Sequence, residues 1–178
     1  MRARRAGFTL IEVLVALVIM ATMAGVLVIS LPGFDQRRAE READRLAAFL
    51  SLICEQAELS GREIGLHLST GGYGFSLSDR DVWLPFASGH RFEERKVEGV
   101  SLSVPDEELP PVPDFERPPQ ATCWPTGELS ALDVRVVHGD RARARVRTAS
   151  DTAARVEISD DGREWRPLRD DEPARLRR

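Results

Sequence analysis

Histidine is scarce in this chain, with three among 178 residues. His67, His90 and His138 lie far apart, and none stands at a helical spacing from another ligand type, so no metal centre is expected. Acidic pairs do not fill the gap. Asp79 with Asp81, and Asp160 with Asp161 before Gly162, lack the spaced run of oxygen ligands that calcium needs, and turn chemistry accounts for them. No serine stands in a nucleophile-elbow pattern and no glycine-rich loop opens a helix after a strand, which leaves hydrolase and nucleotide-binding readings without support. No catalytic residue, cofactor or enzymatic activity is therefore expected. Lysine occurs once, as Lys96, a bias read as composition before function. Cysteine occurs twice, as Cys54 and Cys123. Sequence alone does not place their Cα atoms near each other, so a helix-to-sheet disulfide and two buried thiols both stay open.

The longest absence is of charge. From Phe8 to Leu31 only Glu12 is charged, and a helix of that length measures roughly 36 Å, enough to span a hydrocarbon core of about 30 Å with slight tilt. Glu12 would cost on the order of 3 kcal/mol near the bilayer centre and less towards its edge, which calls for a partner. Before the span stand Arg2, Arg4 and Arg5, so the leader stays in the cytoplasm and everything after Leu31 is exported. Removing those three arginines takes the formal charge from −4 to −7, so the exported part is acidic and not a generic polyanion binder.

The run Gly7-Phe8-Thr9-Leu10-Ile11-Glu12 behind a short basic leader resembles the class III signal of type IV pilins and of the pseudopilins of type II secretion. The resemblance implies a dedicated prepilin peptidase that cuts after Gly7 and methylates the new amino terminus of Phe8. It also implies that Glu12, fifth in the mature chain, meets the terminal amine of a neighbouring subunit. The physics agrees, because a carboxylate and an ammonium that are each expensive in lipid become tolerable together, which makes Glu12 a register mark between subunits.

Beyond the span, Pro32-Gly33 predicts a kink or short break. From Asp35 to Leu59 the positions Leu46, Phe49, Leu50, Ile53 and Ala57 recur at three and four residues, predicting an amphipathic helix that Gly61 stops, with Phe49 and Ile53 packing it onto a sheet. Downstream the period falls to two. Ile64, Leu66 and Leu68, then Tyr73, Phe75 and Leu77, then Val82, Leu84 and Phe86 predict a meander; Val100, Leu102 and Val104, then Leu132 to Val136, Ala142 to Val146 and Ala154 to Ile158 add strands. Asp160-Asp161-Gly162 should turn a hairpin into Trp165. The expected fold is α+β and pilin-like, a long N-terminal helix on a two-sheet antiparallel β head. Its parts are a leader at 1–7, an assembly helix at 8–31, an amphipathic helix at 32–61 and a periplasmic head at 62–178. Within the head, residues 105–120 are too rich in proline for a strand, and read either as a mobile connection or as a docking arm carrying Val112 and Phe115. Asp170 to Arg178 reads as a frayed tail.

The stretches Arg45 to Leu50, Gln56 to Leu66, Gly72-Tyr73-Gly74-Phe75 and Pro125 to Leu129 are similar to the H-type minor pseudopilins of type II secretion, whose domain family includes minor pilins of the FimT and FimU kind. That resemblance implies a structural subunit at or near the tip of a periplasmic pseudopilus. The chain would be stored in the bacterial inner membrane with its head in the periplasm. Its partners would be other minor pseudopilins, the major pseudopilin and the prepilin peptidase, with secreted cargo or the secretin as further contacts. The alternative is a minor pilin used in pilus assembly or DNA uptake. For that role Arg141, Arg143, Arg145 and Arg147 would form a phosphate track, since alternation puts all four on one face of a strand. Against it, Asp133 and Glu157 are expected to balance the arginines, and nucleic acid is not the expected partner.

Overall fold

The computed structural model describes residues 10–29, 32–80, 82–148 and 154–168. Residues 1–34 and 35–178 form two separate compact units. Helix α1, Leu10–Ile29, belongs to the first, and its large apolar side chains from Leu10 to Met20 are exposed. Among the described residues no helix is long and apolar enough to cross a membrane. The span expected over residues 8–31 includes Phe8, Thr9, Ser30 and Leu31, which lie outside them.

Helix α2 runs Pro32–Ser60. A proline suits its first position, where the missing N–H has no helical partner anyway. Ala39, Ala43, Leu46, Leu50, Ile53 and Ala57 repeat at three and four residues and are fully buried. Gly61, at φ +65°, closes the helix by donating its N–H to the Ala57 carbonyl at 2.9 Å. Phe49 and Ile53 both pack α2 onto the first sheet, as expected, but to different depths. Ile53 is buried in the core, whereas Phe49 is only half-buried at the edge of that face, packed against Tyr73, Phe75 and Phe92 with the Arg95 guanidinium over its ring at 4.7 Å.

The strands are β1 Ile64–Ser69, β2 Gly72–Asp79, β3 Val82–Pro85, β4 Arg95–Lys96, β5 Ser101–Ser103, β6 Ala121–Cys123, β7 Leu132–His138, β8 Arg141–Thr148, β9 Ala154–Ile158 and β10 Arg166–Pro167. They form two antiparallel sheets. The first runs β3-β2-β1-β6 with β4 also on β2, the second β10-β9-β8-β7-β5. One core joins α2 to both, through Leu66, Tyr73 and Phe75 of the first sheet and Val134, Val136 and Val146 of the second. The fold is α+β with two antiparallel sheets.

Strand β1 is buried along its whole length, on both faces. Alternation predicts one dry face, of Ile64, Leu66 and Leu68. The other face carries Gly65 and His67 beside Gly74 and Ser76 of β2, and residues 105–120 cover it. A side chain at Gly65 would collide with Pro119 at 2.8 Å and one at Gly74 with the Phe115 ring at 2.6 Å, so both glycines make room for the loop. Gln120 pins it at one end, its N–H donating to the Leu66 carbonyl and its Oε1 accepting from the Leu68 N–H. Thr70 donates to the Pro110 carbonyl at the other. The segment is neither a loose connection nor a free arm: Phe115 points inward onto His67, their rings 4.8 Å apart, and only Val112 of the two apolar residues is exposed.

Candidate functional site

Two regions carry the residues singled out from the sequence. The first is the amino-terminal helix. Gly7 and Phe8 lie outside the described residues; Glu12 stands in the first turn of α1, where an acidic side chain suits the positive end of the helix.

The second is the outer face of the β10-β9-β8-β7-β5 sheet, opposite the face that α2 covers. Register fixes who meets whom. Arg145 of β8 lies directly between Arg135 of β7 and Glu157 of β9, and Arg147 lies between Asp133 and Arg155. The Arg145 guanidinium pairs with Glu157, reaches Asp133 at 4.0 Å, and stacks on the Trp165 ring at 4.5 Å. Arg143 sits at a bulge. Val136 opposes Ala144 while Val137 opposes Ala142, so Arg143 has no opposite number on β7, and the ridge of four regularly alternating arginines is broken there. Its carbonyl accepts from the Gln36 side chain and the Ser159 N–H, and its guanidinium donates to the Asp160 carbonyl. Arg141 and Arg147 are exposed. Reasoning from the sequence passed over Arg135, Arg155 and Trp165. Their own alternation put Arg135 and Arg155 on outward positions, but the strand register was needed to seat them beside Arg145 and Arg147.

Cys54 of α2 and Cys123 of β6 are joined by a disulfide with Cα atoms 5.2 Å apart. Cys123 stands opposite Ile64 of β1, so the bridge ties the helix to the edge of the first sheet from the core side.

The histidines serve packing. His67 is buried between Trp83 and Phe115, its Nδ1–H donating to the Asp114 carbonyl at 2.9 Å while Nε2 accepts from the Ser76 hydroxyl at 2.7 Å. Burial lowers its pKa below the ordinary 6.5, against an opposing pull from the Asp114 carbonyl and carboxylate. His90 stacks on Phe86, and His138 donates Nδ1–H to the Gly99 carbonyl. Tyr73, whose hydroxyl donates to Glu42 at 3.3 Å, is held well above its usual range by burial and then by that carboxylate. At the other acidic turn, the Asp161 carboxylate accepts from the N–H groups of Arg163 and Glu164 and from the Ser159 hydroxyl, bonds that lower its pKa. Asp81 lies outside the described residues. Among the described residues no group of three or more His, Cys, Asp or Glu side chains is placed to hold a metal ion.

A pH test follows from His67. A depressed folded pKa means that the unfolded chain takes up the proton first, so the stabilisation is whole above pH 6.5 and fades as pH falls towards and through the folded value. His67→Gln, which removes the titration, should be less stable than the parent at pH 7.5, and the gap should narrow on acidification to pH 5 in urea unfolding. A gap that stays constant over that range would mean that His67 carries no such linkage.

The described residues form an amino-terminal helix and an α+β head of two antiparallel sheets, and comparison with known proteins shows what they are similar to. Residues 2–28 match the family described as the prokaryotic N-terminal methylation motif. The chain is 40% identical over 99 residues to type II secretion system protein H of Pseudomonas aeruginosa; the match covers 53% of this chain and 56% of that protein, so the chain spans little more than half the length of that relative. To the protein of the same name from Aeromonas hydrophila it is 28% identical over 182 residues, covering 92% of this chain and 98% of the relative. In fold it is similar to the minor pseudopilin EpsH from the type II secretion system of Vibrio cholerae, with a TM-score of 0.56 at 20% identity over 68% of this chain and 94% of that one. It is equally similar to Escherichia coli GspH, with a TM-score of 0.56 at 18% identity over 72% of this chain and 94% of the other. The resemblance to the H-type pseudopilins holds in both sequence and fold.

Proposed function

We propose that this chain is a structural, non-enzymatic minor pseudopilin of the type II secretion pathway, a tip or near-tip subunit of the pseudopilus that helps export folded proteins across the outer membrane. The observation that carries the reading is one chain uniting two features, a match to the methylation motif at residues 2–28 and a similarity in sequence and fold to the H-type proteins named above. The similar proteins named above belong to secretion systems, which favours this over pilus assembly or DNA uptake. The exposed apolar side chains of α1 support membrane storage followed by assembly, because so large an apolar surface needs either lipid or the helices of neighbouring subunits around it. The inner membrane is the proposed store, the peptidase the proposed processing enzyme, and the major and other minor pseudopilins the proposed neighbours.

Processing tests the reading. The peptidase has to fit the small residue before the cut, so Gly7→Leu should leave the leader attached and keep the chain out of filaments. Intact-mass and amino-terminal analysis of the chain from its native membrane should find a methylated Phe8 at the start. A mature chain beginning anywhere else would remove the assignment.

A further inference from the structure

On the outer face of the second sheet most of the charge is already matched, since Arg145 is held between Glu157 and Asp133. Arg147 and Arg155 are not. They stand directly opposite each other on β8 and β9, both exposed, and among the described residues neither makes an ion pair. Directly opposed side chains of an antiparallel pair have Cβ atoms about 5 Å apart, and like charges so placed repel. A second like-charged pair, Arg135 opposite Arg145, lies alongside. The face thus gathers four arginines against Asp133 and Glu157, on a chain whose formal charge is −4. A basic face on an acidic molecule attracts acidic partners.

We propose that Arg147 and Arg155 form a two-pronged anchor for a carboxylate on an acidic, extended segment of a partner protein. One carboxylate has two oxygens, and placed between two guanidiniums it accepts charge-assisted hydrogen bonds from both while relieving their repulsion. The surroundings select the partner. Asp133 directly flanks Arg147 in the same row, and Glu157 lies in the next, so a uniformly charged phosphate backbone laid across this face would meet repulsion at both. A protein segment of mixed charge can put its acids over the arginines and avoid those positions. One face of the ring beside this patch, Trp165, is taken by the Arg145 guanidinium, and Asp160, Asp161 and Glu164 lie around it, acids that disfavour a nucleotide there. The inference deepens the filament reading only in naming the chemistry of a neighbour.

The test uses the full-length chain in detergent, a fluorescein-labelled peptide of alternating Glu and Ala, and a labelled DNA duplex, at low ionic strength. The peptide should bind, its affinity should fall with added salt, and the double variant R147S/R155S should bind it about tenfold or more weakly. Because the substitution removes a repelling pair, the variant should melt no lower than the parent, which separates lost binding from lost folding. Equal binding by parent and variant, or no binding by the parent, overturns the proposal. Tighter binding of the duplex than of the peptide, abolished by the same two changes, replaces it with a nucleic-acid surface. None of these results bears on processing after Gly7, so the two readings fail separately.

Discussion

Replacing Cys54 and Cys123 together with alanine is expected to cost about 4 kcal/mol of stability, from the chain entropy restored to the unfolded state when a loop of 69 residues is opened. That is a large share of the roughly 5–15 kcal/mol that holds an ordinary domain together. The loop is long because the bridge joins α2 to β6, and everything from the end of the helix to the proline-rich cover lies inside it. Both positions are buried, so alanine leaves little new polar surface, and the effect should come chiefly from the unfolded chain. Thermal melting should fall on the order of 10 °C or more. Adding reductant to the parent under conditions that open the bridge should move its melting in the same direction. A double variant that melts with the parent would show that the bridge does not form in the folded protein.

The same bridge shows where reading a sequence stops. The helix face was legible because Leu46, Leu50, Ile53 and Ala57 repeat with the helical period, and the strands because Leu132, Val134 and Val136, or Ala144 and Val146, repeat with a period of two. Both signals are local. Pairing Cys54 with Cys123 needed the knowledge that β6 sits beside β1, a contact between chain segments far apart in sequence. The buried outer face of β1 was hidden for a related reason. Gly65, His67, Gly74 and Ser76 look like a wet face, and only the collision of a Cβ at Gly65 or Gly74 with Pro119 or Phe115 reveals that the two glycines make room for a loop. The arginine ridge failed in a third way. Alternation places arginines on one face of a strand, but a single extra residue at Arg143 breaks the count, and no residue type announces it.

That contrast bears on Glu12, whose position was legible at once because it is the only charge in an apolar run. Glu12→Ala should raise the affinity of α1 for lipid, since a carboxylate costs up to about 3 kcal/mol at the bilayer centre, yet it should sharply reduce incorporation into the filament. The two effects have opposite signs, which is what makes the variant informative. On the proposed cleavage after Gly7, a helical spacing of four residues would put the new amine about 6 Å along the axis from Glu12, close enough to the same depth in the bilayer for the amine of an adjacent subunit to meet the carboxylate after a small axial shift. Neither charge is comfortable in lipid alone, so pairing both lowers the cost of packing the helices and fixes their stagger. Glu12→Gln keeps the shape and a hydrogen-bonding end but loses the charge, and should assemble nearly as poorly as the alanine variant. Glu12→Asp keeps the charge on a shorter stem and should retain part of the function. Copurification with the major pseudopilin, together with export of a secreted protein from living cells, reads both. If Glu12→Ala assembles and secretes like the parent, the carboxylate is a bystander, and the register between subunits has to come from the apolar contacts of α1 or from the heads.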